Sequence, residues 1–232
     1  MPESTDLERM RQEYANRKIR LADSKKYSYF NPAYLFAIQQ RQRAVLSLLR
    51  EMGITSLDSL RLLEVGCGSG GVLSEFLIAG TSPPYANGVD LLLDRVKEAH
   101  MRHPVLPLAC ADAQHLPYPN HRFELVVQYT AFSSILDLSV KKRIAREMLR
   151  VVKHDHGLIL WYDFWLNPTN PQTKGIGIKE IKELFPSCAY HIRRITLAPP
   201  LARFVVPISW VAAEILEKFI LFNSHYLIAI CP

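Results

Sequence analysis

Leu62-Leu63-Glu64-Val65-Gly66-Cys67-Gly68-Ser69-Gly70-Gly71 decides the fold of this chain. A short apolar strand runs into a tight glycine turn, and a helix begins on the far side. Glycine removes Cβ where backbone must approach a ligand closely, and it permits positive φ. The helix start then offers free N–H groups and the positive end of a dipole. Asp90 ends the next apolar run, Ala86 to Val89, where a carboxylate can accept both hydroxyls of a ribose. Together these make the nucleotide-cradling half of a doubly wound α/β fold.

Outward from this point the chain alternates strands and helices. Strands are expected at 61–65, 85–89, 106–110, 123–128 and 158–162, with helices over 71–79, 92–102 and 139–152. Thr81-Ser82-Pro83-Pro84 is a breaker. Residues 5–50 read as helices interrupted near Ser28 to Pro32. Beyond Tyr162 come a loop holding Asn167-Pro168 and Asn170-Pro171, a short helix at 179–184 and a strand at 191–197. An apolar helical region follows over 201–222, broken by Pro207, and a final strand lies at 226–230.

Gly66-x-Gly68-x-x-Gly71 also satisfies the dinucleotide fingerprint, so two cofactors compete for the turn. Glu64, two residues before the first glycine, separates them. A carboxylate is poorly placed against a pyrophosphate but well placed near an ammonium and a sulfonium. The string Glu-x-Gly-x-Gly-x-Gly resembles motif I of the class I (Rossmann-like) S-adenosylmethionine (SAM)-dependent methyltransferases, and the small-molecule, methyltransferase type 11-like members in particular. Gly88-Val89-Asp90 resembles their ribose-binding acid, and Cys110-Ala111-Asp112-Ala113-Gln114 the loop at the adenine amino edge. Leu116-Pro117-Tyr118 with Phe123-Glu124-Leu125-Val126-Val127 resembles their lead into strand four. Ala145 to Lys153 with Gly157-Leu158-Ile159-Leu160 looks like their next helix and fifth strand, although His154-Asp155-His156-Gly157 stands where Pro-Gly-Gly is usual. The likeness covers about residues 60 to 165.

The resemblance implies a seven-stranded sheet of order 3-2-1-4-5-7-6 with the last strand antiparallel, helices on both faces and an N-terminal helical lid. It divides the chain into a cap at 1–55 and a methyltransferase domain at 56–232. It implies SAM as cofactor and S-adenosyl-L-homocysteine as product. The cofactor residues become Glu64, Gly66, Cys67, Gly68, Gly70, Asp90, Leu91, Asp112, Ala113 and Gln128, with Tyr14 and Arg20 reaching from the lid. Gln128-Tyr129-Thr130-Ala131-Phe132 departs from the Asn/Asp-Pro-Pro-Tyr/Phe of amino-group nucleic-acid methyltransferases, which favours a small acceptor.

Methyl transfer from a sulfonium requires alignment and exclusion of water more than acid–base work. Aromatic faces can stabilise the sulfonium. Tyr129 is placed to line the methyl channel, while Phe132, Tyr162, Phe164, Asn167 and Tyr27 are candidates to contact the acceptor. A base is needed only for a hydroxyl or an acidic N–H or C–H. Asp163, at the carboxyl end of strand five, and His115, after the adenine loop, are the candidates, with surface and capping roles as their ordinary alternatives.

Composition agrees with one α/β domain. The 232 residues are 49% hydrophobic and 22% charged, and the four scattered cysteines suggest neither a disulfide framework nor a zinc site. No metal site is expected. No basic-then-apolar leader opens the chain, so a cytoplasmic setting is expected. Much of the net charge of +6 lies in Arg9 to Lys26 and Arg41 to Arg50; Glu8, Glu13 and Asp23 accompany these bases, which read as solvated helix faces. Lys25 and Lys26 beside Tyr27, Tyr29 and Phe30 keep RNA methylation open as an alternative, but no RNA-binding module is visible. An NAD-dependent oxidoreductase and a non-catalytic SAM-binding protein are the alternatives of another class. The 201–222 region is too interrupted to span a bilayer; core packing, an acceptor pocket, a membrane interface and a homodimer contact stay open for it.

Overall fold

Apolar runs of four to seven residues, alternating with amphipathic segments, force strand and helix to alternate and bury both faces of the resulting sheet. The computed structural model describes residues 5–21, 24–166 and 172–232. Asn167 therefore lies outside the described residues. The helices are α1 (Thr5–Leu21), α2 (Pro32–Glu51), α3 (Gly71–Ile78), α4 (Leu93–Arg102), α5 (Leu138–Val151), α6 (Ile178–Leu184), α7 (Pro199–Val205) and α8 (Trp210–Glu217). The strands are β1 (Leu62–Val65), β2 (Ala86–Asp90), β3 (Leu108–Cys110), β4 (Leu125–Tyr129), β5 (Leu158–Phe164), β6 (Ala189–Leu197) and β7 (Asn223–Cys231).

They form one sheet of order β3-β2-β1-β4-β5-β7-β6. β7 runs antiparallel to β5 and β6, and the remaining pairings are parallel. The carboxyl ends of β1 to β6 consequently share one edge. The order of strands reverses between β1 and β4, and ligands of such sheets bind in the crevice beyond that switch point.

Strand parity divides the core. Leu63, Val65, Val126, Ile159 and Trp161 face α5 and α6, where Val140, Ile144, Met148 and Ile181 meet them. Leu62, Leu125, Val127, Leu158 and Leu160 face the other way, onto Val45, Leu48 and Leu49 of α2 and Leu73 and Phe76 of α3. Asn31 caps α2 through its side chain, with Pro32 opening the helix. α2 thus packs in the core along its Val45, Leu48 and Leu49 side, while α1 lies over the crevice edge.

The expected elements are present with shifted ends. β5 extends two residues further, to Phe164, and β7 starts at Asn223 and carries the buried Ser224 and His225. The apolar 201–222 region is two short helices and a 3₁₀ turn (Ile220–Phe222), parted at Pro207, which cannot donate a helical hydrogen bond. Ala202, Val206 and Ala213 of this region pack on Ala33 and Phe36 of α2, with Trp210 edge-on to Phe36 at 5.1 Å.

The glycine turn is held down tightly. A Cβ on Gly88 would sit 2.9 Å from Cys67 Sγ, Leu73 Cδ1 and Leu108 Cδ2. Gly88→Ala is expected to destabilise the fold by about 1–3 kcal/mol through overpacking, read as a fall in the urea midpoint at unchanged slope.

Candidate active site

The turn after β1 has the backbone its glycines allow. Gly66, Gly68 and Gly70 have φ of +80°, +54° and +81°, and α3 begins at Gly71. The Gly66 and Cys67 N–H groups donate to Val89 O at 2.8 and 3.0 Å, tying the turn to β2. Asp90 closes the other side: its Oδ2 accepts the Gly68 N–H at 2.8 Å and its Oδ1 the Leu92 N–H at 2.9 Å. Leu91 packs on the apolar core beside it.

Glu64 lies under this turn, 2% exposed. Its Oε2 has no hydrogen-bond partner among the described residues. Burial, reinforced by the charges of Glu75 and Asp90 and opposed by Arg41 and Arg95, pushes its carboxyl up to about 8. A second buried atom without a partner, Gln128 Nε2, lies at the end of β4, while Gln128 Oε1 accepts the Ala131 N–H at 3.2 Å. One unmet acceptor and one unmet donor therefore sit at the carboxyl ends of adjacent strands. Unpaired polar atoms in a dry interior are costly, and a bound polar ligand is one way to pair them.

Arg41, which sequence reasoning missed, reaches from α2 into the same edge. It is ion-paired with Glu75 of α3, and its guanidinium carbon lies 5.2 and 5.3 Å from the ring centres of Tyr129 and Tyr162. Those rings are themselves 5.2 Å apart. Tyr129 is buried among Phe76, Tyr162 and Arg41, so it forms an aromatic floor. Tyr162 hydrogen-bonds Thr196 Oγ1 at 2.9 Å and stacks on His225 at 4.6 Å. Phe164 lies against the same imidazole at 3.9 Å. Burial, with Arg41 nearby, lowers His225 to about 3 and keeps it neutral. No local sequence signal links residues 41, 75, 129 and 162.

Arg95 was also missed. Its guanidinium stands so close to Gly68 that a Cβ there would collide with it, and the ring centre of Tyr14 lies 4.8 Å away on its other side. α1 is held over the edge by Arg9, which donates to Ser134 O at 2.6 Å and Gln172 Oε1 at 3.2 Å. About 10 Å³ of open space remains between Arg9, Met10, Tyr14 and Ser134. Arg95 therefore lies against the glycine turn, with Tyr14 of α1 beside it.

Other expected site residues have different employment. Asp163 does not face the crevice. It shares the parity of Trp161, is fully buried on the α5 side, and accepts the Ser133 N–H at 3.0 Å and the Phe164 N–H at 2.8 Å. Burial, opposed by these hydrogen bonds and by Lys141, raises it to about 6. Its geometry is that of a clamp on the loop after β4. Phe132 is likewise fully buried, 4.7 Å from Trp161, and lines no surface. His115 is exposed, with Glu147 of α5 as a charged neighbour. Asp112 caps a 3₁₀ turn through the Gln114 N–H at 2.9 Å, and Ala113, inside that turn, packs on the core. Arg20 pairs with Glu13 and is mostly exposed, so it does not reach the crevice. Tyr27 stands at the surface with Arg17 and Lys26.

Residues 62–155 match the family model described as "Methyltransferase domain". Over that stretch the chain is similar to methyltransferases, and its seven-stranded sheet has the fold of the solved structures it resembles. The chain is 33% identical over 100 residues to a phthiotriol/phenolphthiotriol dimycocerosates methyltransferase of Mycobacterium leprae, covering 42% of this chain and 37% of that one. It is 37% identical over 73 residues to a fatty-acid O-methyltransferase of Mycolicibacterium smegmatis, covering 31% and 26%. The matches thus span well under half of these relatives' lengths. In fold, the chain resembles geranyl diphosphate C-methyltransferase from Streptomyces coelicolor, solved with S-adenosyl-L-homocysteine, at a TM-score of 0.58 and 14% identity over 81% of this chain and 76% of that one.

The Glu64 carboxyl gives a thermodynamic signature. Its folded value lies above the ordinary 4.5, so the folded state holds the proton more tightly than the unfolded state. The resulting destabilisation is absent below about pH 4.5, grows as pH rises to about 8 and is constant above. Glu64→Gln is expected to melt at the wild-type temperature near pH 4.5 and above it at pH 8.5. Parallel melting curves for the two proteins at both pH values would contradict this assignment.

Proposed function

We propose that the chain is a SAM-dependent methyltransferase acting on a lipid-like acceptor, with an acyl carboxylate as the favoured nucleophile. The observation that carries the cofactor reading is the buried, partnerless Glu64 Oε2 beneath a positive-φ glycine turn with Asp90 beside it. A dinucleotide would bring a pyrophosphate toward Glu64, whereas the ammonium of SAM pairs with it. Glu64 would hold the ammonium, Gly66 to Gly70 would let the nucleoside approach backbone, Asp90 would exchange its Gly68 hydrogen bond for ribose hydroxyls, and Gln128 would supply a donor. When bound, SAM supplies a methyl group already activated on a sulfonium.

The protein's own task is then alignment and dehydration. Tyr129 and Tyr162 already hold one cation, Arg41, on their faces, which makes this edge hospitable to positive charge. A drug-sized ligand needs a pocket of roughly 300–1,000 Å³, so Arg95 and the Tyr14 region of α1 must move aside to admit SAM and can close again over it.

The proton inventory supports this acceptor class. Among the candidate bases, Asp163 has its oxygens engaged by backbone N–H groups, His115 is exposed, and His225 is buried and neutral. An acceptor that is already an anion needs no base. A carboxylate oxygen forms the new C–O bond as the C–S bond breaks; the acceptor's charge and the sulfonium charge cancel, and no proton moves. The names of the two curated relatives, one a fatty-acid O-methyltransferase, support a lipid acceptor. The cytoplasmic setting is part of the same reading; no helix among the described residues is long and apolar enough to cross a membrane.

Calorimetric titration with SAM tests the cofactor reading. Binding is expected to release about one proton at pH 7, since Glu64 must ionise to pair the ammonium, and the heat should vary with buffer ionisation enthalpy. Glu64→Gln should remove that variation, and Asp90→Ala should weaken binding at least tenfold. Wild-type affinity in both variants would contradict the placement. For the acceptor, palmitate should yield a methyl ester with labelled SAM while hexadecanol should not; the reverse would overturn the carboxylate assignment.

A further inference from the structure

The segment between β6 and β7 turns a row of large apolar side chains to solvent. Phe204, Ile208, Val211, Ile215, Phe219 and Phe222 recur at steps of three or four residues, and they are exposed by between 38% and 73%. Leu221, at the tip, is 84% exposed. The opposite side of the same segment is already used, since Ala202, Val206, Ala213, Trp210 and Leu216 pack on α2. The exposed row is therefore a second apolar surface, left over after the core is complete. Exposed apolar side chains gathered on one short segment mark a contact with something apolar.

Its charges point to the partner. Glu214 is held by Arg43 of α2 at 3.0 Å, and Glu217 turns inward to accept the Thr196 N–H at 3.3 Å. Arg203 and Lys218 are exposed and have no ion pair among the described residues. An open groove of about 320 Å³ runs beneath the segment between α2 and β6, lined by Arg43, Arg193 and Arg194 with Glu217; Arg43 and Arg193 are paired there with Glu214 and Glu51, so Arg203 and Lys218 are the free bases of this face among the described residues. The acids are thus neutralised or turned inward while bases flank the apolar row, on a chain of net charge +6. Apolar side chains flanked by free bases fit the headgroup boundary of an anionic bilayer.

Topology places this surface by the candidate site. β6 runs antiparallel to β7, which runs antiparallel to β5, so Leu197 ends at the same sheet edge as Val65 and Tyr129. The segment from Ala198 to Phe222 rises from that edge. Trp165, just beyond β5, donates to Asn223 O at 2.7 Å and ties the segment's end to the strand that carries Tyr162.

We infer that the outer face of α7, α8 and the following 3₁₀ turn docks on an anionic lipid surface, seating the crevice edge against the bilayer. The docking itself stands on this face alone; that it delivers the acceptor rests on the function proposed above. Co-sedimentation with phosphatidylcholine vesicles, with and without 30 mol% phosphatidylglycerol (about the anionic fraction at which a few bases give measurable attraction), tests it. The wild-type chain should bind the anionic vesicles, less so at 0.5 M salt (a concentration at which screening falls to roughly 4–5 Å), and should bind the neutral ones weakly. Phe204→Ser/Val211→Ser/Phe219→Ser, checked for native circular dichroism and melting, should lose at least about tenfold in partition coefficient, and Arg203→Gln/Lys218→Gln should lose the preference for anionic vesicles. Failure of the wild-type chain to bind vesicles, or equal binding by the triple variant, would overturn the inference. So would a solution dimer that the same three substitutions convert to monomer, because the face would then belong to a second copy. Titration of the triple variant with SAM separates the two readings: unchanged SAM affinity with lost vesicle binding supports both, and vesicle binding without any SAM affinity leaves the docking standing and removes the proposed chemistry.

Discussion

A carboxyl group buried at the end of the central strand, with one oxygen unmet, is the constraint around which this molecule is arranged. Glu64 could not be dry at that position at small cost. Burial already drives it toward its neutral form, and Glu75 and Asp90 add to the effect. Such a group is tolerated where a ligand completes it, and the surroundings are built for that: three positive-φ glycines, a second acid held by backbone N–H groups, and a helix start facing the same point. Arg41 and Arg95 are the charges that stand against these acids. Their side chains are the cationic counterparts that a sulfonium nucleoside would replace or rearrange.

The fold was legible because its signals are local and redundant. Each strand from β1 to β5 is a short apolar run bounded by turn residues, and each intervening helix has a buried stripe. The glycine turn and the acid at the end of β2 carry their chemistry in their spacing. Pro207 parted the last helical region where its missing N–H demanded. The place of α2 was not legible, for the opposite reason. Val45, Leu48 and Leu49 show an apolar stripe, but the stripe does not say whether it meets a ligand or the far face of the sheet.

The candidate site was legible only in part, and the misses share a cause. Two residues at the same strand end, Tyr162 and Asp163, point to opposite faces because side chains alternate along a strand. From sequence, either could have faced the crevice. The structure puts Tyr162 with Arg41 and His225, and puts Asp163 on the α5 side as a clamp for Ser133. Phe132 was misplaced similarly, because aromatic character fits a core as well as an acceptor wall. Arg41 and Arg95 act through contacts with distant segments, Glu75 in one case and Gly68 with Tyr14 in the other, and nothing in their neighbourhoods along the chain marks them.

Crystals grown with S-adenosyl-L-homocysteine test the central claim most directly. The account predicts the amino group within hydrogen-bond distance of Glu64 and the ribose hydroxyls on Asp90, with Arg95 and Tyr14 withdrawn from above Gly68. A nucleoside seated elsewhere, or a crevice that stays closed at saturating ligand with Glu64 still unpaired, would contradict it.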